Sequence, residues 1–270
     1  MKATVLIDNI GNDLCKGEWG LSIHICHNNK KILLDTGSSF LFSKNAERLG
    51  IDLKDIDYGV LSHAHYDHSD RMDTFFEKNG SSKFYLQKTA KQKCYGGRFI
   101  FLRYIGIKKG MLEKYDNRIE YIDSLHTLCN NAYLLPHSES SPFTAKKSSI
   151  LRIKKGKKIE SDDFRHEQSL VIRTEKGLVV FNSCSHTGVD NIINEVAESF
   201  PGEKIYAYIG GFHLYKSSDS DVKALAKRIK ELNIQEIYTG HCTGNKAFEI
   251  LKCELGSTVQ QLHVGLIIEI

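Results

Sequence analysis

Leu61-Ser62-His63-Ala64-His65-Tyr66-Asp67-His68 is the stretch on which the fold turns. The apolar run Ile56–Ser62 predicts a strand that delivers the chain straight into this cluster. On a strand end or tight loop, residues two apart point the same way, so His63 and His65 can grip one cation together. Asp67 and His68, one step further round the turn, are aimed at a second position. A core histidine normally comes singly, satisfied by one hydrogen bond, so this density of imidazole and carboxylate exceeds structural need. Neutral imidazole and carboxylate are suitable ligands for zinc, iron or manganese. A pair of such ions lowers the pKa of a bridging water to about 7 and polarises a substrate oxygen.

Working outward, strands and helices alternate. Upstream, Ala3–Asp8 is a short apolar run, and Leu21–Cys26 and Lys31–Asp35 flank polar residues suited to a hairpin turn. Phe40–Leu49 predicts a helix stopped by Gly50, and Asp70–Lys78 predicts another after the cluster. Ser169–Thr174 and Leu178–Asn182 form a second hairpin around Glu175-Lys176-Gly177. A helix over Val189–Phe200, a strand over Lys204–Ile209, an amphipathic helix over Asp221–Leu232 and a strand over Glu236–Thr239 follow, before a last helix and strand. Polar or metal-type residues stand at the C-terminal ends of nearly all these strands, where open α/β architectures place ligands. Residues 81–163 break the regularity. They carry short β-like runs (Lys83–Gln87, Arg118–Ile122, Ala132–Leu135) and a lysine cluster at 146–158, which reads as a solvated hairpin or loop. The expectation is a single domain over 1–270 with 81–163 as an insertion that covers the pocket.

Composition sets limits on function. A hydrophobic share of 41% and a charged share of 26% are those of an ordinary globular protein. The net charge of +4 suits anionic small molecules but falls short of a nucleic-acid footprint, which needs basic residues clustered on one face. No stretch approaches the ~18 apolar residues of a membrane-spanning helix, and Asp8 cuts the first apolar run too short for a signal peptide. The 7 cysteines are scattered without a C-x-x-C pair, which favours a reducing compartment. The expected location is the cytoplasm, with no nucleic-acid or membrane partner.

His-x-His-x-Asp-His after a strand is similar to the signature of the metallo-β-lactamase superfamily, and Leu33-Leu34-Asp35-Thr36-Gly37 resembles that superfamily's first motif. The resemblance implies an α/β (α+β) fold, a four-layer αβ/βα sandwich, with Asp35 supporting the ligand loop from behind. It also implies His166 as the third ligand of the first metal site, Cys184 at the bridging position and His241 as the last ligand of the second site. Asn182-Ser183-Cys184-Ser185-His186-Thr187-Gly188, Ile209-Gly210-Gly211-Phe212-His213-Leu214 and Gly240-His241-Cys242-Thr243-Gly244 look like one branch. Its members are named for dihydropterin-ribofuranosyl-aminobenzene-phosphate synthase. Where that branch has two acids, Asp-Asp-Gln, this chain has His166-Glu167-Gln168.

Alternatives stay open at three positions. Cys184 is either a thiolate ligand, which would bias the site toward zinc, or a small buried hydrophobe. His186 is a ligand, a support for one or a substrate contact. His213 follows a Gly-Gly that allows close backbone approach and serves as general acid, phosphate contact or ligand. Asp67 is a ligand first and a proton acceptor second. The expected cofactors are two divalent metal ions, zinc favoured over iron or manganese. The expected activity is hydrolysis of an ester or phosphoester bond of a small anionic metabolite by a hydroxide activated by both metals. The alternatives are a pterin-related synthase and a non-catalytic metal- or ligand-binding protein on the same fold.

Overall fold

The apolar stretches become strands of two seven-stranded sheets and one four-stranded sheet in the computed structural model, which describes residues 1–97, 101–137 and 150–270. Numbered in chain order, the first sheet holds β1 (Lys2–Ile7), β2 (Ser22–His27), β3 (Lys30–Leu34), β4 (Tyr58–Val60), β5 (Lys83–Gln87), β8 (Ile119–Ile122) and β18 (Ile267–Glu269). Its order is β18-β1-β2-β3-β4-β5-β8, antiparallel up to β3 and parallel beyond. The second sheet holds β9 (His126–Cys129), β10 (Ala132–Pro136), β13 (Gln168–Thr174), β14 (Gly177–Phe181), β15 (Ile205–Ile209), β16 (Glu236–Thr239) and β17 (Val259–Gln261). It runs β17-β16-β15-β14-β13-β10-β9, again half parallel and half antiparallel.

Alternation of side chains across each strand explains why the sheets pair. Val5, Ile23, Ile25 and Leu34 of the first sheet meet Leu134, Leu170, Ile172, Val179 and Phe181 of the second in one buried layer. The outer face of the first sheet packs on α1 (Leu41–Arg48) and α3 (Met72–Lys78) through Leu33, Phe42, Ala46, Phe75 and Phe84. The outer face of the second sheet packs on α5 (Val189–Ser199), α6 (Asp219–Glu231) and α7 (Asn245–Leu255) through Val180, Tyr208, Ile192, Val196, Leu225 and Leu251. The layers are therefore helix, sheet, sheet, helix, as the expected αβ/βα sandwich requires.

The helix expected over Asp70–Lys78 forms as α3 from Met72, and a separate short helix, α2, covers Tyr66–Ser69 before it. The His68 carbonyl accepts the Thr36 N–H at 2.8 Å and the Thr36 hydroxyl at 3.1 Å, so it is taken out of the helical ladder. One local expectation is corrected. Residues 81–163 are not one insertion, because β5, β8, β9 and β10 complete the main sheets. What stands apart is the four-stranded sheet β12-β11-β6-β7, made of β6 (Lys93–Gly96), β7 (Arg103–Tyr104), β11 (Leu151–Lys155) and β12 (Lys158–Ser161), followed along the chain from β7 by the short α4 (Met111–Lys114). The lysine cluster becomes the β11–β12 hairpin, with β12 fully exposed, and its residues 146–149 lie outside the described residues. Among the described residues, no helix is long and apolar enough to cross a membrane.

Candidate metal centre

Six strand ends converge on one edge of the sandwich. β3 delivers Asp35, β4 delivers Ser62 to His68, β14 delivers Asn182 to His186, β15 delivers His213, β16 delivers His241, and β1 delivers Asp8 and Asn9. Parallel strands carry their loops to the same end, so residues remote in sequence meet there. Asp35, Ser185, His213 and His241 all adopt positive φ, from 46° to 60°. Such backbone in non-glycine residues persists only where its surroundings over-determine it, and it clusters at functional sites.

Asp35 is fully buried and organises the centre. Its Oδ1 accepts the Ser62 N–H at 2.7 Å. Its Oδ2 accepts the hydroxyls of Ser62 and Ser183, both at 2.6 Å, and His68 Nδ1 at 2.8 Å. Because the Ser62 hydroxyl already gives its proton to Asp35, it accepts at 2.9 Å from His63 Nδ1. His241 Nδ1 likewise faces Asn9 Oδ1 at 3.2 Å. His63, His68 and His241 thus each have Nδ1–H held by an oxygen, which fixes the tautomer with a bare Nε2.

Those Nε2 atoms gather. Donor atoms of His63, His65 and His186 lie within 4.8 Å of one another, and so do those of His63, His68 and Cys184. Asp67 Oδ2 stands 3.7 Å from His68 Nε2 and 3.6 Å from His241 Nε2. Cys184 lies between the two groups, its Sγ 3.3 Å from His68 Nε2, and is also grouped with His186 and His213. The sequence-derived donors therefore meet. His166 stacks on His63, with ring centroids 6.1 Å apart. Its Nδ1 accepts the Ala64 N–H at 3.2 Å and its Nε2 faces Asp162 Oδ2 at 3.2 Å. It also groups with His65, Cys94 and Asp162 on the flank of the centre, while His186 groups with His63 and His65.

At His63, His186 and His241 the electrostatics fit cations. Burial, reinforced by neighbouring imidazoles, drives the pKa of His63 and His186 well below the ordinary histidine value and that of His241 down to about 3. All three are neutral and able to donate a lone pair. Burial works against the charge of Asp67, yet His68, His241 and His65 hold its carboxyl below the usual range. Burial, with Cys242 and Asp67 nearby, keeps the Cys184 thiol protonated far up the scale, and a coordinated cation is what reverses that. His63 Nε2, His186 Nε2 and His241 Nε2 are buried without a hydrogen-bond partner. Each costs about 1–3 kcal/mol, a heavy load against a typical stability of about 5–15 kcal/mol. A divalent ion bound there would relieve them, and imidazole, carboxylate and thiolate are donors of the kind such ions take.

Several residues that support the centre were given no role from the sequence. Buried Asp8, whose pKa burial raises to about 6, accepts the His241 N–H at 2.8 Å, and Asn9 Nδ2 donates to the His241 carbonyl at 3.0 Å. Their position directly after a strand is the one available hint. Glu167 accepts the His186 N–H at 2.8 Å and both the N–H and hydroxyl of Thr187, pinning the His186 loop. Gln168 Nε2 ties the second sheet to the Leu61 carbonyl at 2.7 Å. Gly210 and Gly211 allow close approach, as expected, but to protein. A Cβ on Gly210 would lie 1.8 Å from the Asn182 carbonyl oxygen, and one on Gly211 would lie 2.5 Å from Cys242 Sγ.

Comparison with known proteins agrees with this fold. Over residues 20–142 the chain matches the family model described as the metallo-β-lactamase superfamily. It is 31% identical to Tm1679, whose crystal structure is described as a metal-dependent hydrolase of the β-lactamase superfamily, with a TM-score of 0.81 covering 100% of this chain and 99% of that one. The chain belongs to the metallo-β-lactamase superfamily. Two relatives from Methanocaldococcus jannaschii add detail within the superfamily. The uncharacterized protein MJ0448 is 30% identical over 98% of this chain and 99% of its own length. The 7,8-dihydropterin-6-methyl-4-(β-D-ribofuranosyl)-aminobenzene-5'-phosphate synthase is 28% identical over 89% of this chain and 84% of its own length.

Proposed function

We propose that this chain is a metal-dependent hydrolase acting on an ester or phosphoester bond of a small anionic metabolite, with two divalent metal ions at the strand-end centre. The observation that carries the reading is the set of buried Nε2 atoms of His63, His186 and His241, bare and partnerless beside Asp67, His68 and Cys184. His63, His65 and His186 would hold one ion, Asp67, His68 and His241 the other, and Cys184 would lie between them. Ions bound there would supply an activated water at neutral pH and a Lewis acid for the substrate oxygen. Asp35, Ser62 and Asn9 keep the donor imidazoles in one tautomer and one orientation. His213, half-buried with its ring 4.2 Å from His186, contacts the anionic group and protonates the leaving oxygen. An anionic substrate is favoured by two cations paired with tyrosines next to the centre in the chain: the Arg103 guanidinium lies 5.8 Å over the Tyr66 ring and Lys216 Nζ 5.1 Å over the Tyr215 ring.

Elemental analysis of wild type, His63→Ala and Cys184→Ala, with turnover of a panel of phosphodiesters, lactones and thioesters, tests this. Nearly two ions per wild-type chain, fewer in the variants, and chelator-sensitive hydrolysis are expected. A metal-free protein after reconstitution would sink the proposal. The likeness to the dihydropterin synthase favours a second reading, pterin-related synthesis. Absence of dihydropterin binding to the metal-loaded protein would remove it.

A further inference from the structure

His65 is unlike the other donors. Its Nε2 is buried and has no hydrogen-bond partner, yet it faces Asp162 Oδ2 at 3.9 Å, on the flank of the centre. Asp162 comes from the loop after β12 in the small sheet and is itself buried. Its Oδ1 accepts the Phe164 N–H at 2.9 Å, and its Oδ2 accepts from His166 Nε2 at 3.2 Å. His166 Nδ1 accepts the Ala64 N–H at 3.2 Å, so the only ring proton of a neutral His166 sits on Nε2, toward Asp162. The chain of contacts starts at Ala64, passes through His166 and Asp162, and returns to the next residue, His65.

We propose that Asp162, oriented by His166, is a positioning residue that takes the Nε2–H of His65 and so presents His65 Nδ1 to the centre. The inference rests on the metal-centre reading above and deepens it. Donor atoms of His65, Cys94, Asp162 and His166 all lie within 4.8 Å of one another, which also has the look of a closed metal site. The Ala64 N–H decides against that alternative. An imidazole that accepts a hydrogen bond at Nδ1 and binds a cation at Nε2 would have to lose both protons, whereas a ligand histidine normally donates its second N–H. His166 therefore acts on a carboxylate rather than on a metal, and Cys94 fills the remaining side of the cluster. The small sheet thereby reaches the centre through Asp162, at one specific atom.

Asp162→Asn gives the sharpest test. The amide oxygen still accepts the Phe164 N–H, but its NH2 now faces His65 and His166 Nε2. That reverses the hydrogen bond and drives the His65 proton onto Nδ1. Metal affinity, measured by chelator competition, falls about 10–100-fold, the usual effect of losing such a partner. The metal-free variant melts as metal-free wild type does. A second pair of variants keeps the test independent of Asp162. His166→Gln can both accept from Ala64 and donate to Asp162, so it retains near wild-type affinity, while His166→Leu loses it. Unchanged affinity in Asp162→Asn would overturn the proposal. So would loss of a whole metal equivalent in both His166→Gln and Cys94→Ser, which would make the cluster a coordinating site. Wild type that binds no metal would overturn the metal-centre reading as well, whereas normal wild-type binding with an indifferent Asp162→Asn overturns this inference alone.

Discussion

At the scale of single residues, Asp35 governs more of the centre than any donor does. Its carboxylate is buried and accepts from the Ser62 N–H, the Ser62 and Ser183 hydroxyls and His68 Nδ1. Removing it leaves those donors buried and unmatched, as when a buried pair loses one partner. Asp35→Ala is therefore expected to lose about 3–5 kcal/mol of stability in urea denaturation, the range seen when a buried network loses its acceptor. Metal affinity is expected to fall about 10–100-fold in chelator titration, because His63 and His68 both lose their fixed tautomer. A variant stable to urea but poor in metal binding would place Asp35 in ligand orientation alone. A variant unchanged in both would remove it from the network. Gly210 is the backbone counterpart. Its φ is +146°, and a Cβ would strike the Asn182 carbonyl oxygen at 1.8 Å. Gly210→Ala is expected to cost more than about 3 kcal/mol or to abolish folding, read by thermal melting.

At the scale of elements, the strands fix both the site and a pH response. His24 lies on β2 in the first sheet, 6% exposed, and burial followed by the charge of Lys31 depresses its pKa to about 4. Unfolding returns it to about 6.5, so the unfolded chain binds more protons below that value. Its contribution is present above about pH 6.5 and is lost as the pH falls toward about 4, roughly 3 kcal/mol over that window. Urea denaturation of metal-free wild type and His24→Leu across this range should show the loss in wild type and a flatter profile in the variant. Parallel profiles would remove His24 from the titrating groups, which also include the buried His63, His186 and His241. Elements were also what the sequence made legible. The apolar runs and the turn residues Asn28 and Asn29, with φ of 48° and 59°, act locally. The choice between His166 and His186 was not legible for a physical reason. β13 and β14 are antiparallel, with Leu170 opposite Phe181, so the start of one strand and the end of the other bring both histidines to the same edge. Only tertiary partners separate them: the Ala64 N–H and Asp162 for His166, and Glu167 holding the backbone of His186. Asp162 and Cys94 were hidden for the same reason, since they arrive from a small sheet whose placement no local pattern encodes.

At the scale of the whole molecule, the donors are divided between the two halves of the sandwich. The first sheet supplies His63, His65, Asp67 and His68, and the second supplies Cys184, His186 and His241. Cations bound between them would tie one sheet to the other along an edge that carries the unmatched Nε2 atoms of His63, His186 and His241. Binding to the folded form alone stabilises by about 2.7 kcal/mol when the free ion stands at 100 times its dissociation constant. The chain offers its own reporter of that event. Trp19 is the single tryptophan, 40% exposed, with its ring centroid 4.9 Å from that of His241 and 5.4 Å from that of Tyr215. Titrating zinc into the metal-free protein should change Trp19 emission in step with a rise in melting temperature, and a chelator should reverse both. His241→Ala should keep a smaller gain in melting temperature, because His63, His65 and His186 remain, while the emission change disappears with the ring that carried it. Emission that still responds to zinc in His241→Ala would show that Trp19 senses closure of the two sheets rather than its neighbouring imidazole. A melting temperature indifferent to zinc in wild type would mean that the edge is held without cations.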